Sequence, residues 1–454
     1  IAGEDFDEVI SGYRTLTGKA PVMPKWAMGY WQSRERYKTS TEMIEALEGF
    51  RKRNIPVDNI VMDWSHWEED AWGSHEFDLS RFPDPKGMVD SIHAMNGRMM
   101  ISVWPKFYVD TEHYKEFNDK GWMYNKAYED GIRDWIGTGY LYGFYDAYAQ
   151  EARELFWKQM YEHYYPLGID AWWMDSTDPD HHSYKDSDLD ELTTMGSYRS
   201  VRNIYPLMAV GGVYDHQRAV DSTKRVFILT RSYFAGQQRY GANTWSGDVG
   251  SSWENFRKQV PICLNYTLTA NPHVNTDIGG FFAGGYSTKG HNSATRNPQY
   301  HELYVRWMQF GAFSPMMRSH GADVYREIYH YGKPGEPVYD ALLEAIRLRY
   351  RLMPYTYSLS WQVSRHDDSF MRALFMDFRD DKATWNNNTE FMYGRSLLVC
   401  PVLHPLYTKE QVEWTREDYP VIDWTAERSY EVYLPAGAQW YDYQEEFING
   451  LDLT

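Results

Sequence analysis

The sequence predicts an α/β protein: a (β/α)8 TIM barrel with inserted loops or subdomains, followed by a smaller antiparallel β domain. Between about residues 25 and 357, short apolar runs rich in β-branched and aromatic residues alternate with helical patterns. This alternation is typical of βαβ units and a parallel sheet. Eight such runs occur, the number of strands in the barrel. After residue 369 the helical patterns give way to short alternating runs.

The eight runs define the predicted strands. An open, doubly wound sheet is the alternative, but no glycine-rich phosphate loop follows the first strand. The strands are WAMGYWQ (26–32), NIVMDW (59–64), MMISVW (99–104), IDAWWMD (169–175), RVFILTRS (225–232), NTWSGDV (243–249), HVNTDIGG (273–280) and SPMMRSH (314–320).

Helical signals lie between these strands. Thr39 and Glu42 have the spacing of a capping box, and Met43, Leu47 and Phe50 follow at i, i+4 and i+7. The run DALLEAIRLRY predicts the last barrel helix.

Two predicted connections, 105–168 and 176–200, are much longer than the usual 2–6 residues of α/β loops. Both follow the carboxyl end of a strand, where a barrel builds its active site. We expect them to carry subdomains or functional loops.

The alternating runs FMRALFMDF, SLLVCPVL and SYEVYLPAGAQWYDY predict a separate antiparallel β domain. We therefore divide the chain into an entry segment (1–24), the barrel (25–368) and the C-terminal β domain (369–454). The chain opens at Ile1 without a signal peptide, which indicates a central piece of a longer protein. Its compartment stays open, with a periplasmic or secreted location favoured over the cytoplasm.

Composition narrows the class of partner. Aromatic residues make up 17% of the 454 residues, which excludes a disordered protein, and two cysteines cannot build a disulfide framework. The net charge of −18 disfavours nucleic acid, and no apolar run is long enough to span a membrane. Abundant Trp and Tyr beside many carboxylates suit a carbohydrate partner. The oligomeric state stays open.

Several predicted strands end in a polar residue after an apolar run. Any single one is more commonly a helix cap or a structural salt bridge, but six on the same face of one barrel indicate a pocket. Tryptophans at 64, 104, 173 and 245 accompany them and would suit a sugar. The six are Asp63, Asp175, Arg231, Asp248, Asp277 and His320.

Glycosidic bond cleavage requires one carboxylic acid that protonates the leaving oxygen and one carboxylate that attacks the sugar or activates water. Asp175 and Asp248, on the fourth and sixth predicted strands, can lie on opposite sides of such a bond. Metal binding is the rival use of clustered acids and histidines, and STDPDHH offers Asp178, Asp180, His181 and His182. Because that cluster is contiguous in a loop, we expect no metal and no cofactor.

At these motifs the sequence resembles glycoside hydrolase family 31. GIDAWWMDSTDPD is similar to the family's nucleophile region, and TRSYFAGQQRYGANTWSGDVGSSWENF to its acid/base segment. TDIGGF and MMRSHG are similar to two further substrate-binding stretches, in the expected order.

The resemblance implies a retaining α-glycosidase on a (β/α)8 barrel without metal. A β-sandwich would precede the barrel, and Ile1 would begin in its last strand. Asp175 matches the nucleophile and Asp248 the general acid/base. Where the family usually has Glu-Pro after the nucleophile, this chain has Asp178-Pro179. The matches to residues that hold or line the sugar in the −1 subsite are Asp63, Arg231, Asp277, His320, Trp104, Trp173 and Trp245.

WQSRERY, DWSHW and ISVWPKF resemble the α-xylosidase branch, which removes xylose from xyloglucan fragments. Trp64 follows Asp63 where α-glucosidases of the family tend to have a smaller residue near C6 of the sugar. A bulky indole there would crowd a hydroxymethyl group, which xylose lacks. An α-glucosidase, an α-transglycosylase of the same site and a non-catalytic carbohydrate-binding barrel are the alternatives.

Overall fold

The computed structural model describes residues 1–178, 185–414 and 418–443. Its central element is a sheet of eight parallel strands in the order β12-β11-β10-β7-β3-β2-β1-β13. A parallel bridge between Ile278 and Ser319 joins the two ends of this order. The eight strands are β1 (Tyr30–Gln32), β2 (Asn59–Met62), β3 (Arg98–Val103), β7 (Ala171–Met174), β10 (Ile228–Thr230), β11 (Ala242–Trp245), β12 (Val274–Asn275) and β13 (Met317–Ser319).

All eight predicted strands therefore lie in one barrel. Six lie within their predicted apolar runs, whereas β3 and β11 each begin one residue earlier. The strands are buried almost throughout, as parallel strands covered on both faces must be. Thirteen α-helices are described: α1 (Phe6–Thr17), α2 (Ser40–Lys52), α3 (Pro85–Ala94), α4 (Glu112–Asn118), α5 (Lys126–Glu129), α6 (Gln150–His163), α7 (Tyr198–Val201), α8 (Tyr205–Val220), α9 (Trp253–Leu268), α10 (Pro298–Gly311), α11 (Pro337–Arg351), α12 (Met353–His366) and α13 (Leu374–Asp377).

The predicted start of α2 has a modified capping box. The Thr39 side chain accepts from the Glu42 N–H at 3.1 Å, as expected. The Glu42 carboxylate, however, accepts from the backbone N–H of Lys38 rather than from that of Thr39. Met43, Leu47 and Phe50 are buried on the barrel side of α2.

The long connections carry secondary structure of their own. The first holds a three-stranded antiparallel sheet, in the order β4-β6-β5, together with α4 to α6. The second holds a two-stranded hairpin and α7. Their strands are β4 (Lys106–Tyr108), β5 (Met123–Tyr124), β6 (Tyr142–Tyr145), β8 (Leu192–Thr193) and β9 (Gly196–Ser197).

The C-terminal region contains a three-stranded antiparallel sheet of β14 (Met371–Ala373), β15 (Phe391–Tyr393) and β16 (Leu397–Val399). Two strand predictions here are wrong in part. FMRALFMDF is a strand only at its start, because α13 begins at Leu374. Residues 429–443 form no strand in the region that the structure describes, and side chains such as Val432 and Leu434 are exposed. An alternating pattern yields a strand only where a neighbouring strand pairs with it.

Residues 6–17, in the predicted entry segment, form α1. The buried Arg14 of this helix donates to the backbone oxygens of Ala270 and Asp368 and so ties α1 to the rest of the chain. The boundaries at 24/25 and 368/369 stay a prediction. Across the described ranges, no helix is both long enough and apolar enough to cross a membrane.

Candidate active site

The predicted polar residues lie at the carboxyl ends of the barrel strands. Asp63, Asp175, Arg231 and His320 each come directly after a strand, while Asp248 and Asp277 follow within a few residues. Two contacts between these strand ends join four of the six residues in pairs. Arg231 Nε lies 3.7 Å from Asp175 Oδ1, and His320 Nε2 lies 3.8 Å from Asp63 Oδ2.

Asp175 is buried and held by its own backbone, since the N–H of Ser176 donates to its carboxylate at 2.7 Å. Burial raises the pKa of Asp175 to about 7; the Arg231 charge opposes this rise and the Asp248 charge adds to it. Asp175 is therefore a fixed carboxylate that ionises near neutral pH.

Arg231 is positioned by the residue at which the sequence departs from the family pattern. Its Nε donates to both carboxylate oxygens of Asp178, at 3.2 and 3.1 Å, and its NH2 donates to Ser176 Oγ. The shorter acid at position 178 still reaches the guanidinium that lies beside Asp175.

Asp248, in the partly buried loop beyond β11, is itself exposed, in contrast to Asp175. Its charge raises the pKa of both Asp175 and Asp277, which indicates that it faces the same cluster. An exposed carboxyl can exchange protons with solvent, whereas a buried one at a strand end is held in a fixed position.

Asp63 and His320 face each other beside the loop after β1. Burial is the main cause that raises the pKa of Asp63 well above its ordinary value, and the Glu35 charge adds to it. Burial also holds the pKa of His320 well below its ordinary value, so the imidazole is neutral and its contact with Asp63 is not an ion pair. Ser33 Oγ lies 2.7 Å from His320 Nδ1 and fixes the ring.

Asp277 has a partner that the sequence analysis did not assign. The guanidinium of Arg318, in the middle of β13, forms an ion pair with its carboxylate. Arg318 also lies over the ring of Trp173, with its guanidinium carbon 4.6 Å from the ring centroid. The sequence does contain a signal for this partner, because Arg318 is a charged residue inside the mainly apolar run SPMMRSH. Ser33 and Glu35 were likewise not assigned, although both lie in WQSRERY.

The four predicted tryptophans form two groups. Trp173 and Trp245 are buried and meet edge to face, with centroids 5.4 Å apart, and Trp173 also contacts His320. Trp64 and Trp104 are half-buried, and both contact Trp72 in the connection after β2. The first group lies within the barrel, and the second forms an aromatic wall beside it.

Several enclosed polar atoms of this cluster make no hydrogen bond within the described part of the chain. They include Trp173 Nε1, Trp245 Nε1, Asp277 Oδ2 and His320 Nε2. Buried polar atoms are normally paired, and such exceptions often mark functional sites. These atoms offer both donors and acceptors beside indole rings, a combination that suits a hydroxylated ring compound.

The described residues contain no group of three or more His, Cys, Asp or Glu side chains that could hold a metal ion. Asp178 lies within the description and binds Arg231. Asp180, His181 and His182 lie outside the described residues.

The barrel and its polar cluster define a class, the α/β barrels whose active site lies at the carboxyl ends of the strands. The glycosyl hydrolases family 31 TIM-barrel domain matches residues 20–359, and the C-terminal domain of the same family matches residues 367–453. The chain therefore belongs to glycoside hydrolase family 31.

Similar proteins include α-xylosidases and an α-glucosidase. The α-xylosidase of Saccharolobus solfataricus is 40% identical over 435 residues, which cover 94% of this chain and 55% of that protein. The α-glucosidase 2 of Bacillus thermoamyloliquefaciens is 30% identical over 451 residues, or 94% of this chain and 52% of that protein. The chain thus spans about half the length of these relatives.

Among solved structures, the family 31 α-xylosidase of Xanthomonas citri superposes with a TM-score of 0.85 at 43% identity. The match covers 89% of this chain and 44% of that one.

Proposed function

We propose that the protein is a retaining α-glycosidase that hydrolyses terminal α-xylosyl residues, with xyloglucan oligosaccharides as its substrates. The observation that carries this proposal is the pairing of a fixed, buried Asp175 with an exposed Asp248 whose charge acts on it. Asp175 is held in a fixed position at the end of β7, which suits a nucleophile. Asp248 can exchange its proton with water, which suits a general acid/base.

In the first step, the Asp175 carboxylate attacks the anomeric carbon while the glycosidic C–O bond breaks, and Asp248 donates its proton to the leaving oxygen. This gives a β-linked xylosyl-enzyme. In the second step, Asp248 takes a proton from water, whose oxygen attacks the same carbon and displaces Asp175. The product is α-xylose, and both carboxyl groups return to their starting states.

The remaining predicted residues are proposed to bind the sugar in the −1 subsite. Asp63, Arg231, Asp277 and His320 would exchange hydrogen bonds with its hydroxyl groups, and Trp104, Trp173 and Trp245 would line it. Arg231 has a second effect, since its charge opposes the rise in the pKa of Asp175 and so favours the anionic nucleophile.

Specificity for xylose is proposed to depend on Trp64. Its backbone N–H donates to Asp63 Oδ1 at 2.7 Å, so the two residues are fixed relative to one another. Its ring stacks on Trp72 at 5.6 Å, and Arg36 lies 4.2 Å over it. A rigid indole beside a sugar-binding carboxyl would exclude a hydroxymethyl group at C5 of the sugar.

An α-glucosidase is the second candidate, favoured by the 30% identity to the Bacillus enzyme. Aryl α-xyloside assayed beside aryl α-glucoside separates the two. An α-transglycosylase would transfer the sugar to an added acceptor sugar, and a non-catalytic barrel would bind xylosides without turnover.

The double displacement has a stereochemical test. NMR of the first-formed product should show α-xylose, because two inversions restore the configuration. Initial release of β-xylose would mean a single displacement, and Asp175 would then not be the nucleophile.

Azide tests the two roles separately. Asp248→Ala should still form the xylosyl-enzyme from an activated aryl xyloside, since that leaving group departs with little protonation. Azide should then attack the intermediate and give α-xylosyl azide. Asp175→Ala should form no covalent intermediate. If Asp175→Ala still accumulates one, or if azide rescues neither variant, the roles are misassigned.

A further inference from the structure

Trp135 lies in the connection after β3 and is 65% exposed, although it is a large aromatic residue. Its ring meets the edge of Trp64 at 66°, with the centroids 5.1 Å apart. A single exposed apolar residue is ordinary on a protein surface. This one differs because it contacts a tryptophan of the candidate site and because its backbone is firmly anchored.

The anchor is an enclosed ion pair beneath the indole. The backbone N–H of Trp135 donates to Asp134 Oδ1 at 3.0 Å. The other oxygen of Asp134 accepts from Lys106 Nζ at 2.8 Å and from Tyr108 Oη at 2.6 Å. The Lys106 and Asp134 side chains are only 4% and 3% exposed. A buried pair is costly unless its hydrogen bonds are made, and here the carboxylate accepts three.

The Lys106–Asp134 ion pair also contacts the aromatic wall of the site, through Trp72. Lys106 Nζ lies 3.5 Å from the centroid of Trp72, whose ring contacts Trp104 edge to face at 4.8 Å and stacks on Trp64. The indoles therefore form a row, from Trp104 through Trp72 and Trp64 to Trp135. Exposure is highest at the Trp135 end.

We propose that Trp135 is a stacking platform for a pyranose ring in the leaving group, outside the −1 subsite. This inference rests on the proposed function, because it assigns the outer end of the row to the sugar that departs. The apolar C–H face of a pyranose ring packs well on an indole. A tryptophan held in place loses little conformational entropy when it binds.

The test compares two substrates of Trp135→Ala. α-Xylosyl fluoride has no sugar in its leaving group, whereas a xyloglucan-derived oligosaccharide has several. The ratio of kcat/KM for the oligosaccharide over the fluoride should fall about tenfold or more, mainly through KM. Trp135→Phe keeps an aromatic ring and should retain most of the wild-type ratio. Trp361→Ala, which removes an indole that is 47% exposed on α12, should leave the ratio unchanged.

A ratio that stays at its wild-type value would overturn the platform, whether both activities are unchanged or fall together. Calorimetry gives a readout that does not require turnover. In the Asp175→Ala background, Trp135→Ala should weaken oligosaccharide binding far more than xylose binding. Failure of the wild-type protein to hydrolyse either substrate would count against the proposed function alone, because this binding comparison would still decide the platform.

Discussion

The guanidinium of Arg318 and the carboxylate of Asp277 form an ion pair in which both side chains are 0% exposed. The pair lies against the rings of Trp173 and Trp245. Burial nevertheless raises the pKa of Asp277 to about 7, against the opposing charge of Arg318 and with that of Asp248 adding to the rise. Removal from water thus outweighs the pairing, and Asp277 changes its charge near neutral pH.

Arg318→Met should therefore destabilise the protein in a pH-dependent manner. At pH 8, Asp277 would be buried without its partner, at a cost of about 3–5 kcal/mol in the free energy of unfolding. At pH 5, Asp277 is protonated with or without Arg318, so the loss should be smaller. Thermal unfolding at both pH values measures this difference. Arg318→Lys, which retains a cation, should lose less at pH 8. Equal losses for Arg318→Met at both pH values would show that packing alone is affected.

Asp175→Asn should stabilise the protein at neutral and alkaline pH. The pKa of Asp175 is about 7 in the folded protein and near 3.8 when exposed. Between these values the native state binds more protons than the unfolded state, so the free energy of unfolding falls as pH rises. Asp175→Asn has no carboxyl at this position and does not lose stability in this way. Above pH 7 its free energy of unfolding should exceed that of the wild type by at most about 4 kcal/mol.

Below about pH 3 this advantage should vanish, because the carboxyl is then protonated in both states. Melting curves across the range measure it. Asp90→Asn, on the exposed side of α3, is the matched control and should follow the wild-type pH dependence. A variant less stable than wild type at pH 8 would contradict the prediction.

The acid limb of the kcat/KM profile should have an apparent pKa near 7, since the nucleophile acts as its anion. Asp248→Asn removes a charge that raises the pKa of Asp175 and should move the limb to lower pH. Arg231→Met removes a charge that lowers this pKa and should move the limb to higher pH. An aryl xyloside with a good leaving group keeps both variants measurable. If the acid limb moves in the same direction in both variants, a group other than Asp175 controls it.

The sequence predicted the barrel because most of its strands lie in short, mainly apolar runs, a pattern that a parallel sheet covered on both faces produces. The polar strand ends were equally visible, because Asp63, Asp175, Arg231 and His320 directly follow such runs. Arg318 was not recognised. A charge in the middle of a strand is interpretable only once Asp277 and Trp173, which are distant in the sequence, are known to enclose it.

The connection after β3 was predicted only as a long insertion. Its strands are two to four residues long, too short for a period of two to be recognised. The wall of four indoles at 64, 72, 104 and 135 depends on contacts between separate connections, which no local pattern records. The alternating run at 429–443 shows the opposite error, since periodicity without a pairing partner gives no strand.

The final prediction concerns Trp64 and the choice of sugar. The indole lies in the aromatic wall, stacked on Trp72, with the guanidinium of Arg36 4.2 Å over its ring. Trp64→Leu should open space beside Asp63, where the hydroxymethyl group of glucose would project. The ratio of kcat/KM for α-glucoside over α-xyloside should then rise, within the roughly 10–200-fold range that one such group delivers. Kinetics on both aryl glycosides measure the ratio.

Loss of packing alone gives a different result, and Trp67 offers the control. Trp67 is buried in the same cluster and also contacts Trp72, but it is not beside Asp63 in the chain. Trp67→Leu should lower the melting temperature without changing the ratio of the two activities. If Trp64→Leu behaves in the same way, with both activities depressed together, Trp64 stabilises the wall and does not select xylose. A raised ratio in Trp64→Leu alone would assign the selection to this indole, because Trp67→Leu removes the more deeply buried ring of the two and so controls for lost packing.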